Sequence, residues 1–214
     1  MRSKTICAIL AVLLAAAFAG CSGGGKPYAT PEPIVTPVPT AVPDSGTPDP
    51  GSSGWIDEEI DNEEFTLVDG HYEDAILTVD LPKMLGDPVT DINTRTFAGK
   101  LEDGTGIGMS YIWDNFSEYE TDVAKYDFDS YNEYLTTVVS SDMKLLEYNN
   151  ITVDGHRGVK AAFDYTYEDR PTVHIVQYSI EVHGWVLGFT VSTNGEIPPE
   201  LDEGIMALKF KEGF

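Results

Sequence analysis

The sequence predicts an α+β domain in which an antiparallel β-sheet is packed by one main helix and a C-terminal helix. Three observations predict it: short apolar runs separated by glycine-containing turns, alternation of apolar and polar residues in the later runs, and only two stretches with helical periodicity. The order of these elements favours an α+β sandwich over a parallel α/β fold: strands come first, then a helix, a series of hairpins and a final helix. We expect residues 55–214 to form this single domain, after a signal peptide (1–20) and a disordered linker (21–54).

The predicted elements follow one another with clear turn signals. Asp-Gly and His-Gly pairs tolerate the positive φ values of tight hairpins, and a pair of prolines opens the last helix. The strands are Phe65–Val68 and Ala75–Val79 around the Asp69-Gly70 turn, Ile92–Leu101 and Thr105–Trp113 around Glu102-Asp103-Gly104, Lys144–Val153 and Val159–Tyr167 around Asp154-Gly155, and Thr172–Val182 and Trp185–Thr193 around His183-Gly184. The helices are Ser130–Ser141, capped by Asp127 or Asp129, and Glu200–Leu208 after Pro198-Pro199.

Alternation in two of these strands predicts how the sheet is covered. Val159, Ala161 and Phe163 fall on one face of their strand, and Leu187 and Phe189 fall on one face of theirs. A sheet with one apolar and one polar face is covered on one side only. We therefore expect the helix at 130–141 to cover the apolar face.

Four segments carry a resemblance to a known fold. Ala75–Pro82, the Glu102–Gly104 hairpin, Ile151–Gly158 and Trp185–Phe189 are similar to the PsbP/Mog1-like α/β fold, over roughly residues 64–210. Members of that group do unrelated work, so the resemblance implies a fold and no functional residues.

The N-terminus has the organisation of a bacterial export signal. Arg2 and Lys4 precede an apolar run from Ile6 to Ala19. As a helix this run would reach about 21 Å, short of the roughly 30 Å hydrocarbon core of a bilayer. The length therefore predicts a signal peptide and not a permanent membrane span.

The end of the signal resembles the lipobox of bacterial lipoproteins. The matching residues are Phe18-Ala19-Gly20-Cys21, with phenylalanine where the family prefers an aliphatic residue. The resemblance implies cleavage between Gly20 and Cys21, a thioether-linked diacylglycerol on Cys21 and, commonly, acylation of the new amino group. An ordinary signal peptide cut at Ala17 or Ala19 is the alternative. Ser22 is not the aspartate that signals retention, so we expect a lipid anchor on the extracytoplasmic face of the cell membrane.

Residues 22–54 differ in composition from both their neighbours. Thr-Pro and Val-Pro repeats favour polyproline II, and glycines flank them. At about 3.1 Å per residue the segment could reach roughly 100 Å at most. It is predicted to be a spacer that lifts the domain away from the membrane; a proline-rich ligand for a partner module is the alternative.

Charge and cysteine content restrict the function classes. The chain has 36 acidic and 13 basic residues and a formal net charge of −23, which excludes nucleic-acid binding because the phosphates would be repelled. Cys7 lies in the signal, so Cys21 would be the only cysteine of the mature chain and no internal disulfide could form.

No catalytic arrangement stands out in the sequence. The four histidines, His71, His156, His174 and His183, are not at metal-ligand spacing, and there is no Gly-x-Ser-x-Gly elbow. Gly104–Gly108 enters a strand, so a hairpin explains it better than a phosphate loop does. We therefore predict no catalytic residue, cofactor or metal. A calcium site in the acidic run 57–64 stays open as an alternative.

The candidate ligand-binding segment is the loop between strand and helix at 113–128, because such loops carry recognition and aromatic rings can stack on sugars or peptides. Its candidate residues are Trp113, Asn115, Phe116, Tyr119 and Tyr126. The leading hypothesis is a non-enzymatic binding or accessory lipoprotein, attached to the membrane through Cys21, whose partner is an envelope protein, peptide or glycan. The alternatives are an envelope enzyme, such as a carboxylate-dependent hydrolase, and a calcium-dependent adhesion module.

Overall fold

Two antiparallel β-sheets and two helices make up the described part of the chain. The structure is a computed structural model of the protein, and it describes residues 64–91, 93–115 and 126–214. The signal, Cys21 and the linker lie outside the described residues. Within those three ranges, no helix is long and apolar enough to cross a membrane.

The larger sheet has seven strands in the order β4-β5-β6-β10-β9-β8-β7. The predicted hairpins are confirmed, and their turns hold Asp154, Gly155, His183 and Gly184 at positive φ. The strands are β4 (Val89–Asp91), β5 (Thr94–Lys100), β6 (Gly106–Asn115), β7 (Met143–Val153), β8 (His156–Tyr165), β9 (Val173–Val182) and β10 (Trp185–Thr193).

The smaller sheet has four strands in the order β1-β2-β3-β11. These are β1 (Phe65–Val68), β2 (His71–Asp74), β3 (Leu77–Asp80) and β11 (Lys209–Phe210). The sequence prediction missed β2, because its His-Tyr-Glu-Asp sequence has no aliphatic residue. Burial nevertheless alternates along β2, since Tyr72 and Asp74 are buried whereas His71 is exposed.

Two helices flank the larger sheet. Helix α1 (Phe128–Tyr134) begins at a capping box between Asp127 and Ser130 and continues into a π-helical turn at Leu135–Val139. It therefore starts two residues before the predicted helix and ends two residues before its predicted end. Helix α2 (Pro199–Ala207) carries proline in its first turn, as predicted.

Helix α2 is fixed to the sheet by polar and close backbone contacts. The Tyr178 hydroxyl donates to Asp202 Oδ1 at 2.7 Å, and Lys160 Nζ lies 2.8 Å from the same oxygen. Gly204 faces the Asp80 carbonyl so closely that a Cβ there would collide with it. The glycine is thus required for the packing of α2 on β3.

Cross-strand register corrects the predicted covering of the sheet. Leu187 lies opposite Ile180, and Ile180 lies opposite Gly158, so Leu187 is on the face opposite to Val159. The two apolar sets therefore point to different faces, and the expectation of a sheet covered on one side is wrong.

Each face of the large sheet packs against its own partner. The face that carries Leu187, here the core face, packs in one cluster with the small sheet and α2. The other, here the helix face, packs against α1 on β7, β8 and β9. The helix-face cluster contains Tyr131, Tyr134, Leu135, Met143, Leu145, Ala161, Phe163 and Ile175.

Candidate functional site

A row of polar side chains crosses the helix face of the large sheet. Thr96 on β5 lies opposite Ser110 on β6, and Ser110 lies opposite Thr190 on β10. Thr190 in turn lies opposite Gln177 on β9. Because directly opposite residues share a face and neighbouring strands are about 4.8 Å apart, these four side chains span about 14 Å. We call Thr96, Ser110, Thr190 and Gln177 the polar row.

Among the described residues, the neighbours of the polar row on its four strands are small and uncharged. Strand alternation puts the large apolar residues of β10 on the core face and leaves Gly188, Thr190 and Ser192 for the helix face. The adjacent rows on the same four strands are Ala98, Gly108, Ser192 and Ile175 on one side and Thr94, Ile112, Gly188 and Ser179 on the other. These three rows of described residues contain no charged side chain, although the whole chain has a formal net charge of −23.

Thr190 is the unusual member of the row. Its side chain is 7% exposed, and its Oγ1 has no hydrogen-bond partner among the described residues. Leaving a buried hydroxyl unsatisfied costs about 1–3 kcal/mol, so native proteins seldom do so. Thr193, on the core face of the same strand, behaves normally: its hydroxyl donates to the Gly106 carbonyl at 2.8 Å and accepts from the Gly195 amide at 3.0 Å.

At its β9 end the row meets four tyrosines contributed by α1, by the segment before it and by β7. We call them the tyrosine cluster: Tyr126, Tyr131, Tyr134 and Tyr148. Beyond Gln177 the register continues to Ala161 on β8 and Tyr148 on β7. The Tyr131 hydroxyl donates to Gln177 Oε1 at 3.4 Å, and its ring centroid lies 4.6 Å from that of Tyr148. Ala161 is buried in the same cluster as Tyr131, and its small side chain leaves room for the ring.

Tyr131 is the member of the tyrosine cluster whose electrostatics are perturbed. Burial, followed by the neighbouring Tyr148 and Tyr126, raises the pKa of Tyr131 well above its ordinary value. Tyr131 therefore remains a hydrogen-bond donor throughout the physiological pH range. Tyr126 and Tyr148 are half-buried.

The structure separates the candidate residues of the 113–128 segment. Trp113 lies on the core face, is 3% exposed, and packs against Tyr111 and over the Arg95 guanidinium. Tyr126 packs against α1 on the opposite face. Asn115 ends β6, opposite Trp185, and its side chain is outside the described part. Phe116 and Tyr119 are outside the described residues. Of the candidate residues described, only Tyr126 belongs to the tyrosine cluster at the end of the polar row.

Sequence reasoning missed the polar row itself. The alternation of Gly188, Thr190 and Ser192 marked one strand of it, but Ser110 and Gln177 belong to other strands. Their alignment depends on cross-strand register, which a single sequence does not fix. The only local signal was a run of small and hydroxyl residues on strands that are otherwise apolar.

A second buried polar group joins the two sheets. The Tyr72 hydroxyl donates to Asp74 Oδ2 at 2.9 Å, while Asp74 Oδ1 accepts from the amides of Ile76 and Leu77 at 2.8 Å each. Arg95 is 1% exposed and helps to lower the pKa of Tyr72, which burial and Asp74 raise more strongly. These contacts hold the β2–β3 turn, so we assign the group a structural role.

Two histidines form hydrogen-bonded pairs with aspartates. His71 Nδ1 lies 2.7 Å from Asp80, and His174 Nδ1 lies 2.7 Å from Asp164. Thr193 is opposite His174, so aspartate, histidine and hydroxyl stand in one row. That hydroxyl is held by backbone groups, as described above, and is not poised as a nucleophile. In the three described ranges, no group of three or more His, Cys, Asp or Glu residues could hold a metal ion.

The remaining histidines meet at the opposite end of the sheet. The rings of His156 and His183 are 5.6 Å apart, and His156 also contacts Phe210 of β11. Burial, and then His183, lower the pKa of His156, while Asp154 opposes them. Asp154 accepts from Lys209 Nζ and the Phe210 amide, which lowers the pKa of its carboxyl group.

The fold and the site together define an α+β domain of antiparallel sheets with a polar row on its helix-bearing face. No protein-family model matches the chain, and no curated protein matches it. Similar solved structures include cyanobacterial PsbP from Synechocystis (14% identity, 76% of this chain and 99% of that chain covered, TM-score 0.45). A protein of unknown function from Pseudomonas aeruginosa, described as a putative regulator, is 17% identical (65% and 86% covered, TM-score 0.38). A Bacteroides thetaiotaomicron protein is 11% identical (64% and 46% covered, TM-score 0.38).

Proposed function

We propose that this protein is a lipid-anchored, extracytoplasmic binding module that holds a polar ligand on the helix face of its large sheet. The observation that carries the proposal is the polar row, in which the Thr190 hydroxyl has no hydrogen-bond partner among the described residues. A ligand that supplies the missing hydrogen bond would remove the cost of burying that group. On the motifs Ala75–Pro82 and Ile151–Gly158, we also assign the domain to the PsbP/Mog1-like group.

The location of the module is proposed from the N-terminal sequence. Cys21 follows a lipobox-like segment, and two acyl chains would suffice for stable membrane anchoring because each buried methylene contributes about 0.8 kcal/mol. The proline-rich residues 22–54 would then act as the spacer between the anchor and the domain. This arrangement would present the polar row to ligands of the cell envelope.

Anchoring is tested by replacing the two cysteines separately. Cys21→Ala should release the protein from membranes and abolish incorporation of labelled palmitate. Cys7→Ala is the matched control: it lies within the signal and should leave both properties unchanged. A Cys21→Ala protein that stays membrane-bound after its signal has been removed would disprove the anchor.

Ligand binding is tested with the purified protein and separated envelope fractions of protein, peptide and polysaccharide. A fraction that binds should do so less tightly when Thr96→Val and Ser110→Ala are combined, because these changes remove two hydroxyls of the row. Thr66→Val, in the small sheet, is the control and should bind normally. Turnover of an envelope substrate by the purified protein would refute a purely binding role.

A further inference from the structure

We infer that the protein forms a symmetric dimer in which the β7 edge of its large sheet pairs with the same edge of a second copy. The two β7 strands would run antiparallel about a two-fold axis at Asn150, so that the two large sheets become one continuous sheet. This inference concerns the sheet edge and does not depend on the ligand-binding function proposed above. Four features of β7 support it.

The first feature is that β7 is a long strand with a free side. It lies at one end of the strand order and pairs only with β8 among the described residues. The other strands at sheet ends, β1, β4 and β11, have four, three and two residues, whereas β7 has eleven. Because very short edge strands protect a sheet from pairing with another chain, the long edge at β7 is the one suited to accept an added strand.

The second feature is the direction of the backbone groups near the hairpin. Val153 and His156 flank a two-residue turn and lie opposite each other, so they form a hydrogen-bonded pair. Since hydrogen-bonded and non-hydrogen-bonded positions alternate along a strand, the N–H and C=O groups of Thr152, Asn150 and Tyr148 point away from β8. The side chains of Asn150 and Thr152 are exposed, so the outer side of this segment is accessible.

The third feature is the lack of charge in this part of β7. Residues 148–153, Tyr-Asn-Asn-Ile-Thr-Val, contain no acidic side chain, no basic side chain and no proline. A chain with a net charge of −23 repels a second copy of itself. Like charges directly opposite each other also destabilise strand pairs. An uncharged edge lets two copies approach without placing carboxylates opposite one another.

The fourth feature is that this edge is self-complementary. When the Asn150 residues of the two copies lie opposite each other, Tyr148 of each copy lies opposite Thr152 of the other. All of these positions direct their backbone groups outward, so this register forms about six hydrogen bonds between the copies. Asn150 is opposite Val159 of the helix face, and alternate residues of a strand share a face. The register therefore also keeps the helix faces of both copies on one side of the sheet.

The bulge in β7 limits the size of the interface. The register of β7 with β8 shifts between Leu145 and Glu147, and a bulge bends its strand and interrupts regular pairing. Pairing with a second copy would thus involve about five residues of each chain, which is small for a protein interface. We expect a dissociable dimer, with a dissociation constant of about 1–100 μM.

The register is tested by disulfide cross-linking of the full-length protein in detergent. With Cys7→Ala and Cys21→Ala as background, Asn150→Cys carries the sole thiol of the chain. Residues opposite each other in a hydrogen-bonded antiparallel pair have Cα atoms about 5.5 Å apart, which suits a disulfide. Under mild oxidation we expect Asn150→Cys to form a covalent dimer about tenfold faster, or more, than Thr152→Cys in the same background.

Thr152→Cys is the matched control for this cross-link. Thr152 is exposed on the same edge and the same face, but its two copies would be about 14 Å apart in the dimer, too far for a disulfide. Equal rates for the two variants would mean that random collision produces the cross-links. Faster reaction of Thr152→Cys would mean that the copies pair in a different register. Either result overturns the inference.

The strength of association is measured by sedimentation equilibrium of the full-length protein in density-matched detergent. Asn150→Pro removes an outward N–H from each copy and should weaken the dimer about tenfold or more. The variant should remain folded, as thermal unfolding would show, because this N–H does not bond to β8. Asn150→Ala keeps the N–H and should still dimerise.

Salt provides a second readout, since screening of the net charge of −23 should strengthen the dimer. A protein that stays monomeric at about 100 μM overturns the inference, and this is also the result expected if the edge accepts a strand from a different protein. A dimer of Asn150→Pro as tight as that of the unchanged protein would overturn it as well. Should Asn150→Pro fail to fold, the cross-linking comparison decides alone.

Discussion

Thr190→Val should stabilise the unliganded protein, which is the opposite of what a threonine with a satisfied hydroxyl would show. Valine has nearly the same shape and replaces the hydroxyl with a methyl group. The change removes a buried oxygen that has no partner among the described residues and adds apolar contact in its place. Since an unsatisfied buried hydroxyl costs about 1–3 kcal/mol, we expect the free energy of unfolding to rise by about 1–2 kcal/mol.

The measurement is urea unfolding followed by tryptophan fluorescence, because Trp113 is buried and Trp185 packs against the C-terminal Phe214. The midpoint should rise while the slope stays constant, as expected when stability changes and the exposed surface does not. For a domain of this size the melting temperature should rise by about 2–8 °C.

Thr193→Val is the matched control on the same strand. The substitution is identical, but here it leaves the Gly106 carbonyl and the Gly195 amide without their hydroxyl partner. We expect a loss of about 1–3 kcal/mol. If Thr190→Val instead lowers stability as Thr193→Val does, then the Thr190 hydroxyl has a partner in the folded chain and the row is not an open hydrogen-bonding site.

Three further substitutions test the packing and electrostatics. Gly204→Ala should lower the melting temperature, because the added Cβ would collide with the Asp80 carbonyl. This collision should outweigh the preference of helices for alanine over glycine, which is worth about 1 kcal/mol. A higher melting temperature would contradict the close approach of Gly204 to Asp80. His156 has a lowered pKa, so the unfolded chain binds its proton first and stability falls as pH drops below about 6.5. His156→Gln should flatten this pH dependence of the urea midpoint, and an unchanged slope would assign it to other groups. Tyr111→Phe should be neutral or stabilising in thermal unfolding, since the buried hydroxyl has no partner among the described residues; a loss above about 1 kcal/mol would refute this.

Local chemistry explains which parts of the fold could be predicted from the sequence. The Asp154-Gly155 and His183-Gly184 hairpins were predictable because glycine and the turn residue before it accept the positive φ that the structure shows. Asp127, one of the two predicted capping residues, caps α1, although the helix begins two residues before its predicted start. The π-helical turn at 135–139 was not predictable, because helical periodicity does not distinguish it from a regular turn.

Long-range packing explains the errors. Apolar and polar residues alternate as predicted in the strand of Val159 and in the strand of Leu187. The prediction that both residues share one face was wrong, because register is a property of strand pairs. Trp113 was placed in a recognition loop because aromatic residues follow it in sequence, but it is the last inward-facing described residue of β6 and lies in the core. Trp113 is a core residue because it belongs to β6, where it pairs with β10.

The two faces of the central strands differ in a way that packing alone does not explain. On the core face, β6 and β10 carry Tyr111, Leu187 and Phe189, which are almost fully buried. On the helix face the same strands carry Ser110 and Thr190, which are nearly as buried but contribute little apolar surface. Each added methylene in such positions would stabilise the protein by about 0.8 kcal/mol. Small polar residues in the middle of a sheet therefore lower the stability that the fold could reach. Local departures of this kind are expected where function and not folding selects the side chain, and here the departure includes Thr190, whose hydroxyl has no partner among the described residues.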